Sequence, residues 1–182
     1  LFHRLLENRE FRNEFIQRFA AHLNTTFQTE HVLSVIQRLR RGIEAEIPAH
    51  IRRWGGTYGN TSIPSLEAWE ANIRTREDFA HHRPAYLYQM ISEHFGLSGT
   101  ASLTLNISEP GGGRVRIHDM SMPEDQMTSR WFMNIPLKLR AIPTPGYRFI
   151  RWKGLPDQTN SSLSMGLTGD FKLTAVFAKE RQ

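Results

Sequence analysis

The chain has 182 residues, 39% of them apolar and 23% charged, with no apolar run near the ~20 residues that span a bilayer, which excludes a membrane-spanning helix and a disordered chain. Zero cysteines exclude disulfides and thiolate metal sites and fit either a cytosolic protein or a cysteine-poor bacterial secreted one. The formal net charge is +5; basic and acidic residues roughly balance through residue 99, and the excess, with every lysine, lies beyond it.

The opening LFHRLLENREF already reads as helix and starts at Leu1 rather than Met, so the expectation is a piece of a larger protein. Phe11, Phe15, Phe19 and Leu23, with Ile16 and Ala20 beside them, make one apolar stripe on a helix begun after Asn8. Thr29 is the expected N-cap of the next helix. There Val32, Ile36, Leu39, Ile43 and Ile47 share a face, Pro48 kinks or restarts the helix, and Trp54 follows Ile51 at core spacing. Gly55 to Pro64 reads as a loop. Ser65 caps a third helix with Leu66, Trp69, Ile73 and Ala80 buried, and Arg83-Pro84 breaks it. After the break Leu87, Met90, Ile91, His94 and Phe95 share a face, and Gly96-Leu97 has the pattern of a left-handed C-cap.

From Ala101 the hydrophobic period falls from about 3.6 to 2. Ala101, Leu103, Leu105 and Ile107 alternate with polar residues, and Gly111-Gly112-Gly113 turns the chain toward Val115 and Ile117, which predicts a hairpin. Further strands are expected at Leu137 to Ala141, Tyr147 to Trp152, Leu163 to Met165 and Phe171 to Phe177. The polar, methionine-bearing stretch from Asp119 to Arg130 reads as a loop without assignment. The fold class expected is α+β: a helical module over residues 1–98 and a small all-β module over residues 99–182, joined near Gly96–Gly99.

Two resemblances follow. The order Leu137-Lys138-Leu139-Arg140-Ala141, Pro145-Gly146-Tyr147-Arg148-Phe149, Trp152 and Leu173-Thr174-Ala175-Val176-Phe177 resembles the divergent internalin B-repeat family, whose members are β-grasp-like, extracellular and often stalk or adhesive modules. The helical part, through Leu5-Leu6-Glu7-Asn8, Glu10-Phe11-Arg12, Phe15 to Phe19, Leu23-Asn24, Phe27, Ile47 to Trp54, Trp69 and Phe79 with Arg83-Pro84, is similar to the last portion of the spore coat protein H (CotH) kinase family. That resemblance implies the end of a kinase-like C-lobe. The nucleotide and metal residues of that family lie upstream of the similar region, so no catalytic, cofactor-binding or metal residue is carried over. ATP and a divalent metal are implied only for a full-length parent.

The residues themselves offer little independent chemistry. Gly111-Gly112-Gly113 has no Gly-Lys-Ser/Thr after it and reads as a turn rather than a phosphate loop. Gly169-Asp170-Phe171 carries the letters of a kinase metal motif in another order and reads as a hairpin turn. His81 and His82 point about 100° apart on a helix and read as solvated. His94 reads as a partly buried structural histidine, and Glu44 with Glu46 as a solvated face. Arg52-Arg53-Trp54 suggests nucleic-acid contact, but the helical module has no concentrated basic face, so no nucleic-acid partner is expected. Arg114, Arg116, Arg148, Arg151 and Lys153 are candidates for one shared surface toward anionic polymers.

The expected function is therefore the non-catalytic C-terminal portion of a secreted or surface bacterial CotH-kinase-like protein, inactive by itself, completing the kinase-like lobe and adding an accessory β module. Its expected partners are the upstream part of the same protein and a surface protein or cell-wall polysaccharide. The alternative is a surface adhesion or polysaccharide-associated protein without kinase activity.

Overall fold

A computed structural model of the chain describes residues 1–56, 63–122 and 125–180. The fold is α+β, and among the described residues helices come first and eight strands in two sheets after them. The chain packs as two compact units, Thr25–Leu87 and the combination of Leu1–Asn24 with Tyr88–Gln182. Among the described residues no helix is long and apolar enough to cross a membrane.

Within Thr25–Leu87, helix α3 covers Thr29–Ile43, a 3-10 turn covers Glu44–Glu46, α4 covers Ile47–Trp54, and Leu66 opens α5, which runs to Phe95. Pro48 sits in the first turn of α4, where its missing N–H has no bond to lose. Ser65 caps α5 as expected, its Oγ accepting from Ala68 N at 3.1 Å. The expected break at Arg83-Pro84 does not occur, and α5 is one 30-residue helix with Pro84 inside it. Proline there cannot donate to the carbonyl four residues back, Ala80 O. Thr29 Oγ1 donates to that carbonyl instead, at 3.2 Å. Thr29 is thus not an N-cap but the first residue of α3, with Gln28 in the cap position.

The apolar stripe of α3 is also less covered than its spacing suggests: Leu39 is 62% and Ile43 52% exposed. Leu66 is exposed as well, and the buried positions of α5 in this unit are Trp69 and Ala80. Trp54, expected at a core position, is 37% exposed with the Arg53 guanidinium 4.8 Å from its ring centre. Most of the expected Gly55 to Pro64 loop lies outside the described residues.

The other unit begins with α1 (Phe2–Glu7) and α2 (Arg9–Leu23); Asn8 Oδ1 caps α2 by accepting from Phe11 N at 3.0 Å. The α5 segment from Tyr88 ends in the expected left-handed cap, with Gly96 at φ 61° and Leu97 N donating to Ser92 O at 2.8 Å. His94 is exposed there rather than partly buried, edge-on to Phe95. The strands are β1 (Thr100–Ile107), β2 (Gly113–Ile117), β3 (Met120–Ser121), β4 (Gln126–Phe132), β5 (Pro136–Pro143), β6 (Tyr147–Lys153), β7 (Ser162–Gly166) and β8 (Phe171–Lys179). One sheet has the order β4-β1-β8-β6, the other β3-β2-β5-β7. β1 and β8 run parallel; the other recorded pairs are antiparallel.

The hairpin expected between β1 and β2 is absent, because the two strands belong to different sheets. The glycines allow a close crossing: a Cβ on Gly113 would lie 2.4 Å from the Phe177 ring in the other sheet and 2.8 Å from Ile142 O. Gly169-Asp170-Phe171 is likewise a crossing from β7 to β8, and Asp170 Oδ1 accepts from Ser102 N at 2.7 Å. The stretch without assignment contains β3 and most of β4. The inward side chains of both sheets, among them Leu103, Leu105, Val115, Ile117, Leu137, Trp152 and Leu173, are buried completely.

β4 is an edge strand, and α2 closes it. Asn24, just after α2, donates from Nδ2 to Arg130 O at 2.7 Å and accepts at Oδ1 from Arg130 N at 2.9 Å, as a neighbouring strand would. Tyr88 OH also donates to Arg130 O, at 3.1 Å. Gln17, fully buried, donates from Nε2 to Phe132 O at 3.2 Å and Ile135 O at 3.0 Å. Consecutive residues of β4 are therefore buried on opposite faces, Trp131 beside Ala101 of β1 and Phe132 against Tyr88.

Gln17→Leu leaves two carbonyls without a donor and is expected to lower unfolding stability by about 3 kcal/mol, measured by denaturant titration with tryptophan fluorescence. Thr29→Val, which keeps the volume but removes the donor to Ala80 O, is expected to lose about 1 kcal/mol in the same measurement.

Candidate functional site

The eight strands contain charge of one sign only. Arg114 and Arg116 on β2, Arg130 on β4, Lys138 and Arg140 on β5, Arg148, Arg151 and Lys153 on β6, and Lys172 and Lys179 on β8 are all basic, and among the described residues no strand holds an Asp or Glu. Alternation sends all of them outward except Lys179, which shares the side of Leu173, Ala175 and Phe177 and is exposed because it ends β8.

The five residues singled out from the sequence are divided between the two sheets. Arg148, Arg151 and Lys153 belong to β6 at one sheet edge, while Arg114 and Arg116 belong to β2 in the other sheet. Arg148 and Arg151 are three positions apart and would face opposite ways on a regular strand. A bulge between Phe149 and Arg151 absorbs the extra residue, so Phe149 pairs with Phe177 and Trp152 with Ala175. Both aromatic rings then turn inward, 5.3 Å apart, and Arg148, Arg151 and Lys153 form one exposed row.

Arg116 enters a second arrangement that the sequence did not single out. A groove of about 540 Å³ is lined by Arg116, His118, Lys138, Arg140, Ser162 and Ser164, with Leu139 and Leu163 beneath. The register builds it as two rows across β2, β5 and β7: Arg116 opposite Arg140 opposite Ser162, and His118 beside Lys138 opposite Ser164. The signal available in the sequence was the pair of cations Lys138 and Arg140 on the polar side of β5; only the register brings Arg116 and the two serines to them.

Acidic groups reach one end of this groove from outside the strands. Glu14 of α2 accepts from Lys138 Nζ at 2.8 Å and from Arg18 Nε at 3.0 Å, and Asp119 pairs with Arg18 at 2.7 Å and with Arg116 at 3.8 Å. The His118 side chain is 1% exposed, has φ 50°, and lies with Nδ1 3.3 Å from Glu14 Oε1 and Nε2 3.5 Å from Lys138 N. Burial pushes its pKa down, against the pull of Glu14, so the neutral ring donates from Nδ1 and faces the Lys138 N–H with Nε2. Burial by itself raises Glu14, but hydrogen bonds from Lys138 and Arg18 and the nearby His118 outweigh it and hold the carboxyl at about 2. No carboxylate of the described residues lies within ion-pair distance of Arg140.

Among the described residues no three His, Asp or Glu side chains gather where they could hold a metal ion. His81 and His82 are exposed, with His82 Nδ1 against Asp78 O. Glu44 binds Arg40 from the 3-10 turn, and Glu46 is exposed.

Residues 1–87 match the family model of the CotH kinase protein. The similarity thus covers α1 to α4 and α5 up to Leu87, close to the stretch whose helical positions resemble that family. Neither a curated protein nor a solved structure matches the chain.

The low pKa of Glu14 makes a pH dependence. Its folded pKa lies below the unfolded value of about 4.5, so its contribution is complete above that value and is lost as pH falls toward 2. Wild type is expected to exceed Glu14→Gln in stability at pH 6, and the difference is expected to shrink between pH 4.5 and 2 and vanish below, read from urea midpoints across that range.

Proposed function

We propose that the chain is an accessory, non-catalytic part of a secreted or surface bacterial CotH-kinase-like protein, and that its strands form an attachment module for an anionic surface polymer. The upstream part of the same protein is the partner of the helices in this reading, and ATP and a divalent metal belong to that parent.

The match of residues 1–87 supports the kinase-family half of the reading. The attachment half rests on one observation, the absence of any carboxylate from the eight described strands, with Arg148, Arg151 and Lys153 aligned on one exposed row by the β6 bulge. A row of like charges on a rigid strand offers a polymer repeated contacts without a shaped pocket, and such contacts weaken with salt. The order of the Leu137 to Ala141, Pro145 to Phe149 and Leu173 to Phe177 segments on β5, β6 and β8 supports an internalin B-repeat-like module, a class used for surface attachment.

The test is retention of the chain on insoluble bacterial cell-wall material, eluted with increasing sodium chloride. Wild type is expected to bind at low salt and release as salt rises, and Arg148→Gln with Arg151→Gln and Lys153→Gln is expected to reduce the retained fraction by roughly tenfold. Retention of the triple variant at the wild-type level would overturn the reading.

A further inference from the structure

We propose that the groove over β2, β5 and β7 is a binding site for a tetrahedral oxyanion, a phosphate or sulfate group, held by Arg140 and Arg116 with the hydroxyls of Ser162 and Ser164. This goes beyond polymer attachment through β6: it is a separate, concave site on the other sheet.

The argument starts from a conflict in the register. Arg116 and Arg140 are directly opposite on antiparallel strands, and Lys138 stands two residues along β5 on the same face. Like charges in such positions repel, because cross-strand neighbours lie only ~5 Å apart. The fold neutralises one end of the cluster, where Glu14 takes Lys138 and Asp119 touches Arg116 at 3.8 Å. Among the described residues it gives Arg140 no carboxylate within ion-pair distance, and Arg140 lines a groove of about 540 Å³. An anion seated between Arg140 and Arg116 removes the repulsion that the strand pairing imposes.

The other donors narrow the class. Each guanidinium presents a planar fork that matches two oxygens of a carboxylate or of a phosphate. Ser162 lies opposite Arg140 and Ser164 opposite Lys138, both exposed on β7, so two hydroxyls approach from a third strand. A carboxylate offers two oxygens in one plane, whereas donors converging from three strands suit an anion with four oxygens in a tetrahedron.

Thermal melting and isothermal titration of the whole chain with inorganic phosphate and with inorganic sulfate, at constant ionic strength set with chloride and with acetate as a second control, test the site. Wild type is expected to show a saturable, one-to-one rise in Tm with phosphate or sulfate and a much smaller effect of acetate. Arg140→Gln is expected to raise the Tm of the anion-free chain, since it removes the unpaired like charge, and to weaken anion binding roughly tenfold or more. Ser162→Ala with Ser164→Ala, which changes no charge, is expected to weaken binding several-fold, and it keeps the test open if Arg140→Gln does not fold. The β6 triple variant is expected to bind phosphate as wild type does, so loss of cell-wall retention and loss of groove binding are separable. No saturable effect above chloride, equal binding of acetate, or unchanged binding in both groove variants would overturn the proposal.

Discussion

Two side-chain amides on one helix close the open edge of β4, and the arrangement of the strand-bearing unit depends on them. Gln17 and Asn24 are seven residues apart, about two helical turns, so they fall on one face of α2 and its cap. Between them they meet the outward carbonyls of Arg130 and Phe132, the N–H of Arg130 and the carbonyl of Ile135. An edge strand left bare in a dry interface would strand those groups at about 1–3 kcal/mol each. The arrangement has its own cost, since Gln17 Oε1 is buried with no hydrogen-bond partner among the described residues. Both carbonyls require the NH2 end, which forces the oxygen to the other side. Two acceptors satisfied outweigh one left bare.

That closure also explains what the sequence concealed. A strand with one wet face alternates, and β1, β5 and β8 are legible for that reason. β4 does not alternate at its end, because Trp131 is buried between the sheets and Phe132 against Tyr88, so the segment read as a loop. The stripe of Phe11, Phe15, Phe19 and Leu23 with Ile16 and Ala20 correctly announced α2, and Ile16, Ala20 and Leu23 are buried; the fully buried position it did not include is Gln17. A glutamine among apolar neighbours carries no periodic signal; its role is fixed by carbonyls more than a hundred residues away. Pro84 is the same kind of case. The local rule predicts a break, and Thr29, from another helix, supplies the missing donor.

The candidate residues divide along the same line. Arg151 and Lys153 alternate and were legible as outward. Arg148 joins them only through a bulge whose cause is the inward demand of two aromatics, Phe149 and Trp152. Lys138 and Arg140 were visible as the polar half of an alternating strand, yet nothing in the sequence says that β2 lies on one side of β5 and β7 on the other. The glycines before β2 read as a hairpin turn, and a hairpin with β1 would have paired Arg116 with a different strand altogether. Register, not composition, turns scattered cations into a rim.

The CotH similarity and the packing do not share a boundary. Residues 1–87 match as one stretch, while Leu1–Asn24 packs with the strands and Thr25–Leu87 packs by itself. A helix face bearing Gln17 and Asn24 has no use for an apolar neighbour, because both amides would then be unsatisfied; it needs an exposed strand edge, and β4 provides one. The same helix carries Glu14 one turn earlier, and its carboxylate is the one that reaches Lys138. Closing the edge therefore places a carboxylate at one end of a basic groove and no further. Among the described residues Lys138 meets a carboxylate and Arg140 meets none, and the asymmetry of the groove follows from where the edge of β4 had to be covered.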